Sequence, residues 1–293
     1  MAVYMSKLLP VGKELQKMGL QVYETVPAGK KALKILVLNM MTTIEKTERG
    51  IIEKLSLSDV DTELTFIHTE KFLYSKGRQN EAIEHYSKYY KPFSEIKDEY
   101  FDGLIITGAP AIPGPDNMFW DEYKEIDTWA KEHVKTEFHI CWGAFGSIMQ
   151  RYDAQFFWYD EKLHGVFKHE IVNNDIIFNG LSNEFLATNS REIGFDEIQL
   201  SKKDGLIILA KTEKGGPTIL RERDYDVFYS LSHFDYVADT LENEYLRDIQ
   251  KGKKPHLPSN YYVNDDPDDR IRKESLVNSF FIFDNWLNYY CKK

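Results

Sequence analysis

The chain has 293 residues, 29% charged and 42% hydrophobic, with a formal net charge of −10. That is enough length to bury one large core, and the composition excludes disordered and fibrous classes. No apolar run reaches the roughly 20 residues a membrane span needs. The start, MAVYMSKLLPVGKELQK, mixes lysine and glutamate into its apolar positions, unlike a secretory signal. We therefore expect a cytoplasmic protein with no membrane partner. The acidic balance argues against a nucleic-acid partner, which would require a basic surface. KGKKPH at 251–256 is a short basic run that reads as a solvated loop.

In chain order, ALKILVLNM (32–40) is an apolar run suited to a strand buried on both faces. TTIEKTERGIIEKLSL follows, with Glu45 three residues after Thr42, the spacing of a capping box at a helix start. ELTFIHTE (63–70) reads as a second strand, and NEAIEHYSKYY as a helix that stops before Pro92. FDGLIITGAP (101–110) is a third strand entering a Gly-Ala-Pro loop. DNMFWDEYKEIDTWAKEHVK is amphipathic, and TEFHI ends a fourth strand at Cys141. This alternation predicts a mostly parallel sheet flanked by helices, with the site beyond the strands' carboxyl ends. From about 165 the pattern changes to strict alternation with glycine turns, through GVFKHEIV, DIIFNG, GFDEIQL and the 205–236 stretch, as antiparallel or mixed strands require. DTLENEYLRDIQKG is a helix ending at Gly252, and ESLVNSFFIFDNWLNYYCKK a last one. We expect an N-terminal extension over 1–30 and a single α/β domain over 31–293.

The chain has two cysteines, Cys141 and Cys291, and neither context suggests a disulfide framework. Cys141 stands where a buried strand meets a helix start. There the helix N-terminus favours a thiolate and backbone N–H groups can hold an oxyanion, while Gly143 relieves the sharp turn. The alternative is a buried structural thiol. Among eight histidines, His233 in YSLSHFDY is the best candidate base, because Asp235 two residues on can orient its ring. A surface His–Asp pair would look the same. His139, His164 and His169 compete, and His139, two residues before Cys141, is expected to pack. No paired ligand spacing indicates a metal.

LNMM…KTE, FDGLIITGAP, HICWGA, EKLHGVFKHE, NSRE, LSHFDY, DTLENEYLRDIQKG and NWLNYY occur in one order. In that order they resemble the homoserine O-acyltransferases of methionine biosynthesis, the O-succinyl- and O-acetyltransferases of the MetA type. The resemblance runs from about residue 30 to the C-terminus. It implies a class I glutamine amidotransferase-like (flavodoxin-like) fold, with Cys141 as nucleophile on a strand-to-helix elbow. By the same resemblance His233 is the catalytic base, Lys162, Ser190 and Arg247 contact substrate, and no cofactor is needed beyond acyl-CoA as co-substrate. The Trp142 N–H, with an amide of the 107–111 loop, would form the oxyanion hole. Arg247 would take an amino-acid carboxylate, although from composition alone it reads as a helix-surface residue paired with Glu244 or Asp248. The resemblance also suggests a homodimer.

The chain departs from that family's pattern near the substrate. Asp235 replaces a glutamate, MMT (40–42) replaces LMP, His164 a phenylalanine and Glu192 a histidine. Ile112 falls where glutamate or glycine resembles a switch between acetyl and succinyl donors. An apolar Ile112 offers a succinyl carboxylate no partner, which favours acetyl-CoA. L-homoserine is the family's acceptor, and L-serine, one methylene shorter, is its rival, because a methylene is worth only about 1–3 kcal/mol in a pocket. A glutamine amidotransferase-like cysteine hydrolase would use the same Cys–His pair, but such elbows carry glycine where His139 stands. A binding protein that has lost activity, with Asp235 as the lesion, is a further alternative.

Overall fold

The computed structural model describes residues 1–73 and 80–292. Its elements, in order, are β1 (Val3–Met5), α1 (Pro10–Lys17), β2 (Val22–Tyr23), β3 (Leu33–Leu38), α2 (Ile44–Leu57), β4 (Thr62–His68), α3 (Glu70–Leu73), α4 (Asn80–Tyr89) and β5 (Lys91–Pro92). They continue with β6 (Gly103–Ile106), α5 (Trp120–His133), β7 (Glu137–Ile140), α6 (Trp142–Tyr152), β8 (Phe156–Ile171) and β9 (Glu184–Phe195). The last are α7 (Glu197–Ser201), β10 (Leu206–Thr212), β11 (Gly216–Glu222), β12 (Val227–Ser230), α8 (Thr240–Gln250) and α9 (Glu274–Trp286). The chain then ends in a π-helical turn over Leu287–Cys291.

One sheet joins the strands in the order β2-β1-β4-β3-β6-β7-β12-β11-β10-β8-β9, with β5 paired to β4. It is parallel from β2 through β12 and antiparallel from β12 onward. The parallel half is apolar on both faces, as the run in β3 requires. Ile35 and Val37 pack with α1, α2 and α9, while Leu36 and Leu38 point the other way and pack with α5. In the antiparallel half, α6 covers a face formed by Ile193, Phe195, Leu220 and Tyr229.

Several expectations need correction. The N-cap of α2 is Thr43 rather than Thr42, and no side chain caps it, so the capping box is not formed. DIIFNG is not a strand: the Asp175 carboxylate accepts the Ile177 N–H and turns Ile176–Phe178 into a 3₁₀ helix. In GFDEIQL the strand stops at Phe195, because Asp196 accepts the Gln199 N–H and starts α7. Within residues 1–30, β1 and β2 lie at the sheet edge, with β1 pairing to β4. Gly252 does end α8, at φ +75°, with the Lys253 N–H returning to the Asp248 carbonyl at 3.0 Å. Of the last segment, Lys293 lies outside the described residues.

Among the described residues, no helix is long and apolar enough to cross a membrane. One buried group, Asp127, Glu137 and His139, is dense enough in ligand atoms for a cation. Its charge is already met by Arg151, whose Nη2 lies 2.9 Å from Asp127 and 2.7 Å from Glu137.

Candidate active site

Cys141 ends β7 and caps α6 with φ 48° and ψ −113°, a backbone state that L-residues rarely occupy. The conformation is held from both sides. The Cys141 N–H donates to the Ser230 carbonyl of β12 at 2.7 Å, and the Cys141 carbonyl accepts the Phe145 N–H of α6 at 2.9 Å. Gly143 permits the turn, since a Cβ there would sit 2.6 Å from Ile106 Cγ2 and 3.0 Å from the Thr107 carbonyl. The Trp142 N–H is the first of α6, where no intrahelical acceptor exists. Its indole packs instead among Phe119, Trp120 and Tyr123. Both cysteines are free thiols, Cys141 partly exposed and Cys291 buried.

His233 follows β12, the strand beside β7, and its N–H is anchored on the Thr188 carbonyl of β9 at 2.8 Å. Its Nδ1 lies 3.0 Å from Asp235 Oδ1, and its ring stacks on Tyr236 at 3.9 Å between centroids. All three residues are buried. Burial opposes the charged imidazole, but Cys141, the Asp235 carboxylate and hydrogen bonds to both outweigh it and raise His233 to about 10. Gly108 approaches the same point, since a Cβ on it would lie 3.6 Å from Cys141 Cβ and 3.5 Å from His233 Cε1. The loop after β6 therefore faces the thiol. The competing histidines are accounted for elsewhere: His139 is buried against Glu137 at 2.8 Å, and His169 bonds Asn189 at 3.1 Å.

The histidine segment is clamped from behind by α2. Gly50 lies so close that a Cβ there would be 1.7 Å from the Asp235 carbonyl oxygen. One turn further on, buried Lys54 donates to the Tyr236 carbonyl at 2.6 Å.

A cleft of about 520 Å³ opens over the thiol, lined by Cys141, Trp142, His233 and Ile112 and by Lys162, Ser190 and Arg247. Asp235 stands behind His233. The candidate residues thus meet in one cavity, though not each as expected. Arg247, 40% exposed at its side chain, bonds Asp248 Oδ1 at 3.2 Å, the pairing that composition alone suggested. Lys162 Nζ lies 3.6 Å from Glu244 and 3.9 Å from Asp248, and the Ser190 hydroxyl donates to Glu244.

Glu244 is the residue that sequence reasoning missed as a site group. It also accepts from the Tyr236 hydroxyl at 2.8 Å and lies 3.5 Å from His164 Nε2. Burial pushes its pKa up, but His164, Lys162, Ser190 and His233 more than reverse this and hold the carboxyl well below its ordinary range. The usable signal was the four-residue spacing of Glu244 and Asp248, which puts both on one face of α8.

A cysteine on a tight elbow at the end of a parallel strand, with histidine and carboxylate from the next strand, defines a glutamine amidotransferase-like α/β protein. Solved structures share the fold. A glutamine amidotransferase from Thermotoga maritima superposes with a TM-score of 0.58 at 12% identity, covering 88% of this chain and 98% of that one. A glutamine amidotransferase from Methylobacillus flagellatus gives 0.56 at 11% identity, covering 89% and 95%.

The chain itself belongs to the homoserine O-succinyltransferase family, whose model matches residues 2–293, and it is thereby an acyltransferase. Homoserine O-acetyltransferases from Streptococcus gordonii and Streptococcus pneumoniae (strain Taiwan19F-14) are 36% and 34% identical to it. Each match covers 88% of this chain and 82% of the relative.

Proposed function

We propose that the protein is a homoserine O-acetyltransferase of methionine biosynthesis that works through an acyl-enzyme on Cys141. The observation that carries the reading is the join of the Cys141–His233–Asp235 arrangement to a cleft whose far wall is Glu244, Lys162, Ser190 and Arg247. The Cys141 thiolate attacks the thioester carbonyl of acetyl-CoA, and the oxyanion is met by the Trp142 N–H and an amide of the 107–111 loop. The carbon–sulfur bond to CoA breaks, and the leaving thiolate takes the proton held by His233. Homoserine then attacks the Cys141 thioester through its side-chain oxygen, giving its proton to His233 as Cys141 leaves. Asp235 stabilises the imidazolium in both steps.

Arg247 suits the acceptor's carboxylate, and the ionised Glu244 suits its ammonium. Ile112, 38% exposed in a loop of alanines and prolines, gives a succinyl carboxylate no donor and so supports acetyl.

The test is intact mass after incubation with acetyl-CoA or succinyl-CoA, followed by a chase with homoserine, serine or glutamine. Acetyl-CoA should add one acetyl group to the native protein and none to Cys141→Ala, and homoserine should discharge it. Glutamine turnover without any acyl adduct would overturn the reading, and discharge by serine in preference to homoserine would reassign the acceptor.

A further inference from the structure

The basic run 251–256 has no part in the chemistry above, yet it is not simply solvated. Lys251 and Lys253 line the same cleft as Cys141. Both are exposed, and among the described residues neither has a carboxylate within ion-pair distance. The other cations of the cleft, Lys162 and Arg247, are already set against Glu244 and Asp248. In a chain of net charge −10, two unpartnered ammonium groups at the mouth of a reactive-thiol cleft leave a local positive site.

A lysine beside a helix C-terminus is ordinary, because it complements the helix dipole. Here the backbone does more. Gly252, at φ +75°, reverses the chain between the two lysines, and the Lys253 N–H bonds back to the Asp248 carbonyl. The returning segment is then pinned to β8: His256 Nε2 lies 2.9 Å from the Lys162 carbonyl, and the Ser259 N–H donates to the His164 carbonyl at 3.0 Å. Both ends of the lysine loop are therefore fixed to elements that carry site residues.

We propose that Lys251 and Lys253 form the site for the phosphate groups of the acyl-CoA donor, steering its thioester end toward Cys141. This rests on the acyl-CoA reading above and adds to it where the nucleotide end of the donor is held. Ammonium groups on flexible stems suit a diphosphate or phosphomonoester, which needs charge more than a planar fork. Lysines at the rim act mainly on the capture of the donor and on its salt dependence.

The experiment compares acetyl-CoA with acetyl-pantetheine, which has the thioester and the arm but no phosphate. In the native protein acetyl-CoA should be the better donor by kcat/KM, with the advantage shrinking as salt is raised. In Lys251→Glu/Lys253→Glu the ratio of kcat/KM for the two donors should fall by roughly tenfold or more, and the milder Lys251→Gln/Lys253→Gln should fall in between. Adenosine 3′,5′-bisphosphate should compete with acetyl-CoA in the native protein and lose potency in both variants.

A donor ratio unchanged by the substitutions would overturn the assignment while leaving the acyl-CoA reading intact. Failure of both donors to acylate Cys141 in the native protein would remove that reading, and this inference with it.

Discussion

Replacing Gly50 by alanine sets two physical effects against each other. Gly50 lies inside α2, so by helix propensity alone the change should stabilise the protein by up to about 1 kcal/mol. The added Cβ, however, would sit 1.7 Å from the Asp235 carbonyl oxygen and 2.9 Å from its carbon, and both are backbone atoms that no rotamer change can move aside. Restoring an ordinary carbon–oxygen contact of about 3.3 Å requires α2 and the 235–237 segment to separate by about 1.6 Å.

Overpacking of this kind costs about 1–3 kcal/mol, which exceeds the propensity gain. The displacement also falls on Asp235, whose bond to His233 is 3.0 Å long. A misplacement of about 1 Å in such a group can lower turnover roughly 100-fold. We expect Gly50→Ala to lower the melting temperature and to cut kcat by one to two orders of magnitude. Thermal unfolding and steady-state acetyl transfer measure the two effects separately. A variant with a raised melting temperature and native kcat would refute the clamp.

Lys54 supplies a pH-dependent prediction. Burial lowers its pKa to about 8, against an upward pull from Glu53 and Asp235. A lowered value in the fold means the charged form destabilises: the penalty is full below pH 8 and fades as pH rises toward the ordinary 10.5. Its size is roughly 3 kcal/mol. In denaturant titrations the stability of Lys54→Met relative to native should therefore be greater at pH 7 than at pH 10.5 by up to that amount; a difference independent of pH would contradict it.

His233 has the opposite sign, since its raised value adds stability in full below pH 6.5 and loses it as pH rises through about 10. Because Cys141 is the leading cause of the rise, the imidazole of Cys141→Ala, followed by NMR, should titrate well below its native value. An imidazole still charged at pH 9 in that variant would assign the rise to Asp235 alone.

The parallel half of the sheet was legible because it is built from short unbroken apolar runs between turn signals: LKILVL in β3, six residues long, suits a strand covered on both faces. The meeting of Cys141 and His233 was legible because Cys141 directly follows β7 and His233 stands three residues past β12, the strand beside it. β1 was not, since three residues carry no period and its pairing depends on Thr62–Leu64 far along the chain. The 3₁₀ turn at 176–178 was hidden because a single side-chain bond from Asp175 overrides an apolar pattern. Glu244 reads as a polar residue on an amphipathic helix, and only the approach of Ser190, Lys162 and Tyr236 makes it a half-buried anion of the cleft. Arg151, likewise, gathers Asp127, Glu137 and Glu222 from three separate segments.

The bond from the Cys141 N–H to the Ser230 carbonyl ties together the two neighbouring strands that lead into Cys141 and His233. The backbones that position the two side chains are therefore held as one hydrogen-bonded unit. Ile112 hangs from the loop after β6, whereas Glu244 and Arg247 ride on α8, a separate element. Under the proposed function, changes in the loop that carries Ile112 and changes on α8 can therefore accumulate on separate parts of the chain, away from the strands that hold Cys141 and His233.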